Sequence, residues 1–193
     1  MKLSDRIRNR SALRWMMLSQ SAMMFGSGIV FPFYLIFVKE IGGDFTEYGI
    51  AYGLFTLCSA YLNWWFGKSS DRYGRRKFLL IGAWGTALLF LVFPVVTDIW
   101  QVYALQVLMG AFGAMQRTCE KALLADMTDE GKRGEQIGRY HALVSVFSGL
   151  AVIAGGYLID LFALDVMFYI GSVILFGSGL MLARVQEPHG PGK

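Results

Sequence analysis

The chain is poor in the residues that build metal or covalent chemistry, with two cysteines and two histidines among 193 residues. Cys58 and Cys119 both fall inside long apolar stretches, where neither a disulfide framework nor a metal site is expected. His141 and His189 are too scattered for a metal centre. No Ser/His/Asp or paired-carboxylate arrangement argues for hydrolysis, so no enzyme is expected and no cofactor is implied. Charge is sparse as well, at 17% of residues. No long polar stretch, low-complexity segment or extended linker is left over for a soluble domain.

What is present is apolar and arranged in blocks. Hydrophobic residues make up 55% of the chain and the mean hydropathy is +0.46. Six runs of 19 to 24 residues can be read, at 15–38, 48–66, 78–96, 102–125, 137–159 and 164–183. That is the length a helix needs to cross about 30 Å of hydrocarbon. The sequence therefore predicts an all-α membrane protein of six transmembrane helices, forming one domain over 1–193. The first run, at 24 residues, exceeds the apolar core of a signal peptide, and no small-residue cleavage site closes it.

Charge orients the runs. The segments 1–14, 67–77, 126–141 and 184–193 hold 15 of the 18 basic residues. The loops on the opposite side hold Lys39 alone, and Arg117 and Lys121 lie within the fourth run. Retention of positive charge on the inside predicts both termini and both basic loops in the cytoplasm of a cell inner-membrane protein. The net charge of +4 then reports topology. No aromatic-interleaved basic patch or zinc spacing supports nucleic-acid binding.

Between the second and third runs stands Gly67-Lys-Ser-Ser-Asp71-Arg72-Tyr-Gly74-Arg75-Arg76-Lys77, read here as a tight basic turn. It resembles the signature loop between helices 2 and 3 of the major facilitator superfamily of secondary transporters. Gly26, Gly28 and Pro32 resemble the glycine-then-proline pattern of that family's first helix, and Asp126 with Glu130 and Arg133-Gly134 its second cytoplasmic loop. Gly155-Gly156 and Asp160 resemble the end of its fifth helix, and Arg184 with Glu187-Pro188 the start of its central loop. The resemblance covers the amino-terminal six-helix repeat only and implies one half of the family's fold. Ser69, Gln106 and the absence of a proline before the glycine pair depart from the pattern of drug–proton antiporters. By resemblance, Gly67, Asp71, Arg72, Gly74, Arg75, Arg76 and Asp126 form a gating loop. Asp71 would bind across to the other half, and Arg75 and Arg76 would pair with acidic groups near helix 4, Asp126 being the local candidate.

Periodicity picks out polar faces. Gln106, Gly110, Gly113, Arg117, Glu120 and Lys121 share one stripe of the fourth run. Gln20, Ser27 and Tyr34 line up in the first run, and Tyr52, Thr56, Ser59 and Asn63 in the second. The fifth run carries His141, Ser145, Ser148, Gly149, Val152 and Gly156 on one face. Small residues of this kind usually pack helices closely. Gln20 and Tyr34 serve equally as interhelical hydrogen-bond partners or as substrate contacts. Arg117 and Glu120 can pair at i,i+3. Yet at ~1.5 Å per residue Arg117 lies about 13 Å inside Asp126, and charge at that depth faces protein or water and marks a pathway. In the family resembled, helices 1 and 4 line the central cavity, so Arg117, Glu120, Lys121, Gln106, Gln20 and Tyr34 are the expected cavity residues.

Half-repeats related by an axis along the membrane normal hold the substrate between them. The expectation is therefore a secondary-active transporter of a small solute, working by alternating access as a parallel homodimer in the lipid bilayer. Paired copies of Arg117 and Lys121 would favour an anionic or zwitterionic solute, and Glu120 and Asp126 are the carboxylates available for proton coupling. Two alternatives stand beside it: the truncated amino-terminal half of a twelve-helix transporter, and a non-transport scaffold or accessory subunit.

Overall fold

The computed structural model describes residues 3–128 and 130–185, with side chains from residue 11 onward apart from that of Glu130. The expected motif residues Glu187 and Pro188 lie outside the described residues. The described chain is all-helical. Helix α1 (Leu3–Gly28) is followed by a 3-10 turn at Phe31–Phe33 and a short α2 (Tyr34–Glu40). Then come α3 (Phe45–Tyr73), α4 (Arg75–Val92), α5 (Ile99–Met127), α6 (Arg133–Leu161) and α7 (Leu164–Leu182).

Local chemistry explains the boundaries. The first apolar run is broken at Gly28–Phe33 because Pro32 has no N–H to give and its ring crowds the preceding turn. Asp44 caps α3 in a reciprocal box, accepting from the Thr46 N–H at 2.6 Å while its own N–H donates to Glu47 at 3.1 Å. Hydrogen bonding with the Glu47 side chain, then with the Thr46 and Glu47 N–H groups, holds the Asp44 carboxyl below the usual aspartate range. Asp98 caps α5 in the same kind of box with Gln101, whose side-chain oxygen accepts from the Asp98 N–H at 3.4 Å and also from the Thr97 N–H at 3.0 Å. The basic turn expected over 67–77 is much smaller in the structure. Helix α3 runs through Lys68 and Asp71 to Tyr73, and the reversal is made at Gly74, whose φ of 99° suits a residue without Cβ.

The helices form two layers. In the front row α3 packs on α5, α5 meets α1, and α1 packs on α6; behind it α4 sits against α5 and α7, and α7 against α1. Hydrocarbon gives helices no hydrophobic reason to associate, so close approach and interhelical hydrogen bonds must hold them. Both are present. A Cβ on Gly110 would stand 2.6 Å from the Phe55 carbonyl oxygen, which fixes how near α3 comes to α5. Gln116 of α5 donates to the Leu79 carbonyl of α4 at 2.8 Å, Ser172 of α7 to that of Ala87 at 2.7 Å, and Ser19 of α1 to that of Ser178 at 2.8 Å. One end of the bundle is filled by rings: Phe93 stacks on Phe168 at 5.0 Å, and Phe37 meets Phe168 edge-on at 5.2 Å.

Among the described residues, four stretches are long and apolar enough to cross a membrane: 11–40, 75–95, 133–161 and 164–182. Helices α3 and α5 are as long but do not reach that mean hydropathy. Arg117, Glu120 and Lys121 interrupt α5, and Asn63, Lys68, Asp71 and Arg72 interrupt α3.

Candidate functional site

The polar stripe of α5 divides between two neighbours. Arg117 is exposed on the front row, donates to the Ser59 hydroxyl of α3, and lies 5.4 Å over the Phe55 ring. Thr118 donates to Asn63 Oδ1 at 3.0 Å, tying the same two helices one turn along. Glu120 is half-buried and turns toward α6, accepting from the Tyr140 hydroxyl at 2.5 Å. Arg117 and Glu120 therefore point apart, and the pairing at i,i+3 weighed from sequence is not made. Lys121 is exposed on α5, and on α6 His141 is exposed, with its ring 5.3 Å from that of Tyr140.

The other expected cavity residues lie deeper. Gln20, Gln106 and Tyr34 are 1%, 3% and 4% exposed, inside the packed bundle rather than on its open face. Neither polar atom of the Gln20 amide has a hydrogen-bond partner. The Tyr34 hydroxyl faces Gln106 but stays outside hydrogen-bonding geometry. The structure thus brings Arg117 together with Ser59 and Phe55, and Tyr34 with Gln106, in separate places. Phe55, an apolar ring, escaped the sequence reading, and so did Tyr140, whose hydroxyl was a signal of the same kind as those of Tyr34 and Tyr52. Ser59 was visible only as a member of the helix 2 stripe.

At one end of α3, α4 and α5 the basic turn forms a clamp. Arg75 bonds Asp71 at 2.8 Å, pairs with Asp126, and donates to the Ala122 carbonyl at 2.9 Å. Arg76 donates to the Ala183 carbonyl at the end of α7. One arginine thereby satisfies both acids and an end carbonyl of α5, in a bidentate geometry a lysine cannot reproduce. Arg72 is exposed, with its guanidinium 5.5 Å over the Tyr73 ring. Gly67 sits where a Cβ would meet Thr118 at 3.5 Å, an ordinary contact.

A helical bundle with a charged front, a clamped turn and apolar flanks long enough to cross a bilayer is the build of a multi-pass membrane protein. The model of the Major Facilitator Superfamily matches residues 16–193, and the chain belongs to that family. An uncharacterized MFS-type transporter, YitZ of Bacillus subtilis, is similar at 46% identity over 84% of this chain and 99% of its own length. The multidrug resistance protein MdtG of Proteus mirabilis is 30% identical over 78% of this chain, and that of Dickeya zeae 29% over 77%. The chain spans about two fifths of those longer relatives, at 39% and 37% of their lengths.

Proposed function

We propose that this chain is a secondary-active transporter of a small solute that works as a parallel homodimer of six-helix halves by alternating access. Helices α3 and α5 count as spans in this reading, because their charges face the cavity and the partner instead of lipid. The observation that carries it is the exposed Arg117 on the front row, about 13 Å along α5 from Asp126 at ~1.5 Å per residue. An uncovered guanidinium facing lipid costs several kcal/mol, roughly 2.5–3.5 even on the mildest scale. A second copy across a twofold axis covers it and doubles the positive charge of the enclosed cavity.

That charge favours an anionic or zwitterionic solute. Glu120 is the better candidate for proton coupling, because Asp126 is already paired with Arg75. Both termini and both basic loops lie in the cytoplasm of a cell inner membrane. The clamp latches one state of the cycle and opens in the other. The YitZ relative is matched over nearly its whole length, which supports a half-sized unit able to pair. The longer MdtG relatives favour a second reading, in which such a half is followed by another in the same chain. Purified protein screened against metabolites by melting temperature would identify a ligand. Proteoliposomes would then show uptake that disappears with Arg117→Ala while the dimer persists. Undiminished uptake by that variant would overturn the cavity assignment.

A further inference from the structure

Helices α6 and α7 both pack on α1 but touch each other little, so they leave a wedge between them with α1 as its floor. The wedge is a cavity of about 400 Å³ lined by Leu18, Ser21, Ala22, Phe25, Phe147 and Ile174, with Met181 at its edge. From Leu18 to Phe25 it follows α1 for about 10 Å, at ~1.5 Å per residue. Its walls are aliphatic and aromatic apart from Ser21, whose buried hydroxyl has no partner.

One mouth of this cavity carries positive charge. Arg14 is exposed one helical turn before Leu18, on the same side of α1. Arg184 follows Met181 by three residues, is exposed, and lies 4.9 Å over the Trp15 ring, spanning from the end of α7 to α1. Two arginines thus belong to the end of α1 and α7 that flanks the apolar slot, at the level where an apolar helix gives way to a basic segment. Residues 11–28 of α1 and α7 beyond Asp165 carry no acidic side chain, and the acid at this end of the third wall is Glu135 in the first turn of α6, with Arg139 one turn on.

We propose that this wedge is a binding site for an anionic diacyl phospholipid of the bilayer. One acyl chain lies between α6 and α7 on Leu18, Phe25 and Phe147, and the phosphate is held by Arg14 and Arg184. The occupant follows from two features that must be met together. A small soluble anion would use the arginines but leave the slot empty, and a zwitterionic lipid would fill the slot but bring its own cation against the arginines. The site lies between α6 and the rear helix α7, and Phe147, which lines it, is on the other side of α6 from Ser145 and Gly149, so occupancy does not depend on the proposed homodimer.

The purified protein, equilibrated with equal amounts of phosphatidylglycerol and phosphatidylcholine of the same chains, is examined by native mass spectrometry. Phosphatidylglycerol should be retained over phosphatidylcholine by roughly thirtyfold, the worth of two membrane-proximal cations. Arg14→Gln with Arg184→Gln should remove that preference. Ala22→Phe, which fills the slot and leaves the arginines in place, should lower retention of both lipids. Circular dichroism and melting temperature show that each variant is folded. Equal retention of the two lipids by the unaltered protein would overturn the proposal, as would full retention by Ala22→Phe. Lipid bound to single copies and expelled from paired ones would assign the wedge to a second copy and overturn it equally.

Discussion

Helices α4 and α6 have nearly the same mean hydropathy over their best spans, 2.2 and 2.1, yet 44% of the first window is buried and only 11% of the second. Helix α4 is wedged between α5 and α7, with Gly82 against Gln116 and a carbonyl accepting from Ser172. Helix α6 leans on α1 alone along most of its length, and Gly138 and Gly149 have nothing within 4 Å of where a Cβ would stand. The lesson concerns the solvent. In hydrocarbon an apolar face need not be buried, so hydropathy marks a span without saying what it packs against. Polar or small residues left bare, as His141, Ser145 and Gly149 are on α6 and Arg117 on α5, are what the proposed second copy would cover.

The largest expected effect tests the bare side. Arg117→Ala should lower uptake of an identified ligand on the order of a hundredfold, as losing hydrogen bonds to a charged group does. Particle mass should stay the same. Next comes a matched pair of glycines. Gly110→Ala, on the packed α3–α5 contact, should destabilise the chain by about 1–3 kcal/mol through overpacking. Gly149→Ala on α6 should stay within about 0.5 kcal/mol. Melting in mild detergent separates them, and equal losses would erase the distinction between the two regions. Asp126→Asn should cost about 1 kcal/mol or less, as partly exposed ion pairs do, while shifting the balance of conformations seen by cysteine accessibility near Gly74. The smallest effect is one of pH. The folded Asp44 carboxyl titrates below the ordinary value of 3.8, so its cap is intact above that value. The contribution is lost only as pH falls through the lowered folded value. Asp44→Asn should flatten a pH–melting profile in that acid window and leave it unchanged at neutral pH.

Much of this arrangement was legible in the chain. Five of the apolar runs fall within or largely overlap the long helices α3 to α7, as continuous helix satisfies the backbone in lipid. The first, read as one run over 15–38, is broken between Gly28 and Tyr34 at Pro32. The end of α3 was not legible. Lys68, Ser69, Ser70 and Asp71 read as a loop by charge, but nothing in them forbids helix, and only Gly74 forces the reversal. The α5 stripe was visible as a face, but its direction was not. A stripe of that width borders two neighbours, and packing decided that Arg117 turns to Ser59 and Glu120 to Tyr140. Gln116, buried and bonded to Leu79, sat beside Arg117 at equal depth and could have been flagged by polarity alone.

The central claim is that the open front row is covered by a second copy of the same chain. A twofold axis along the membrane normal reverses the row, so α3 of one copy faces α6 of the other. Thr56 and Gly149 are both exposed, and counting along the helices puts them at matching depth. With Cys58 and Cys119 replaced by serine, Thr56→Cys and Gly149→Cys should form a disulfide between two copies in native membranes, doubling the mass on a non-reducing gel. Single copies alone, or a cross-link to a different chain, would contradict the account.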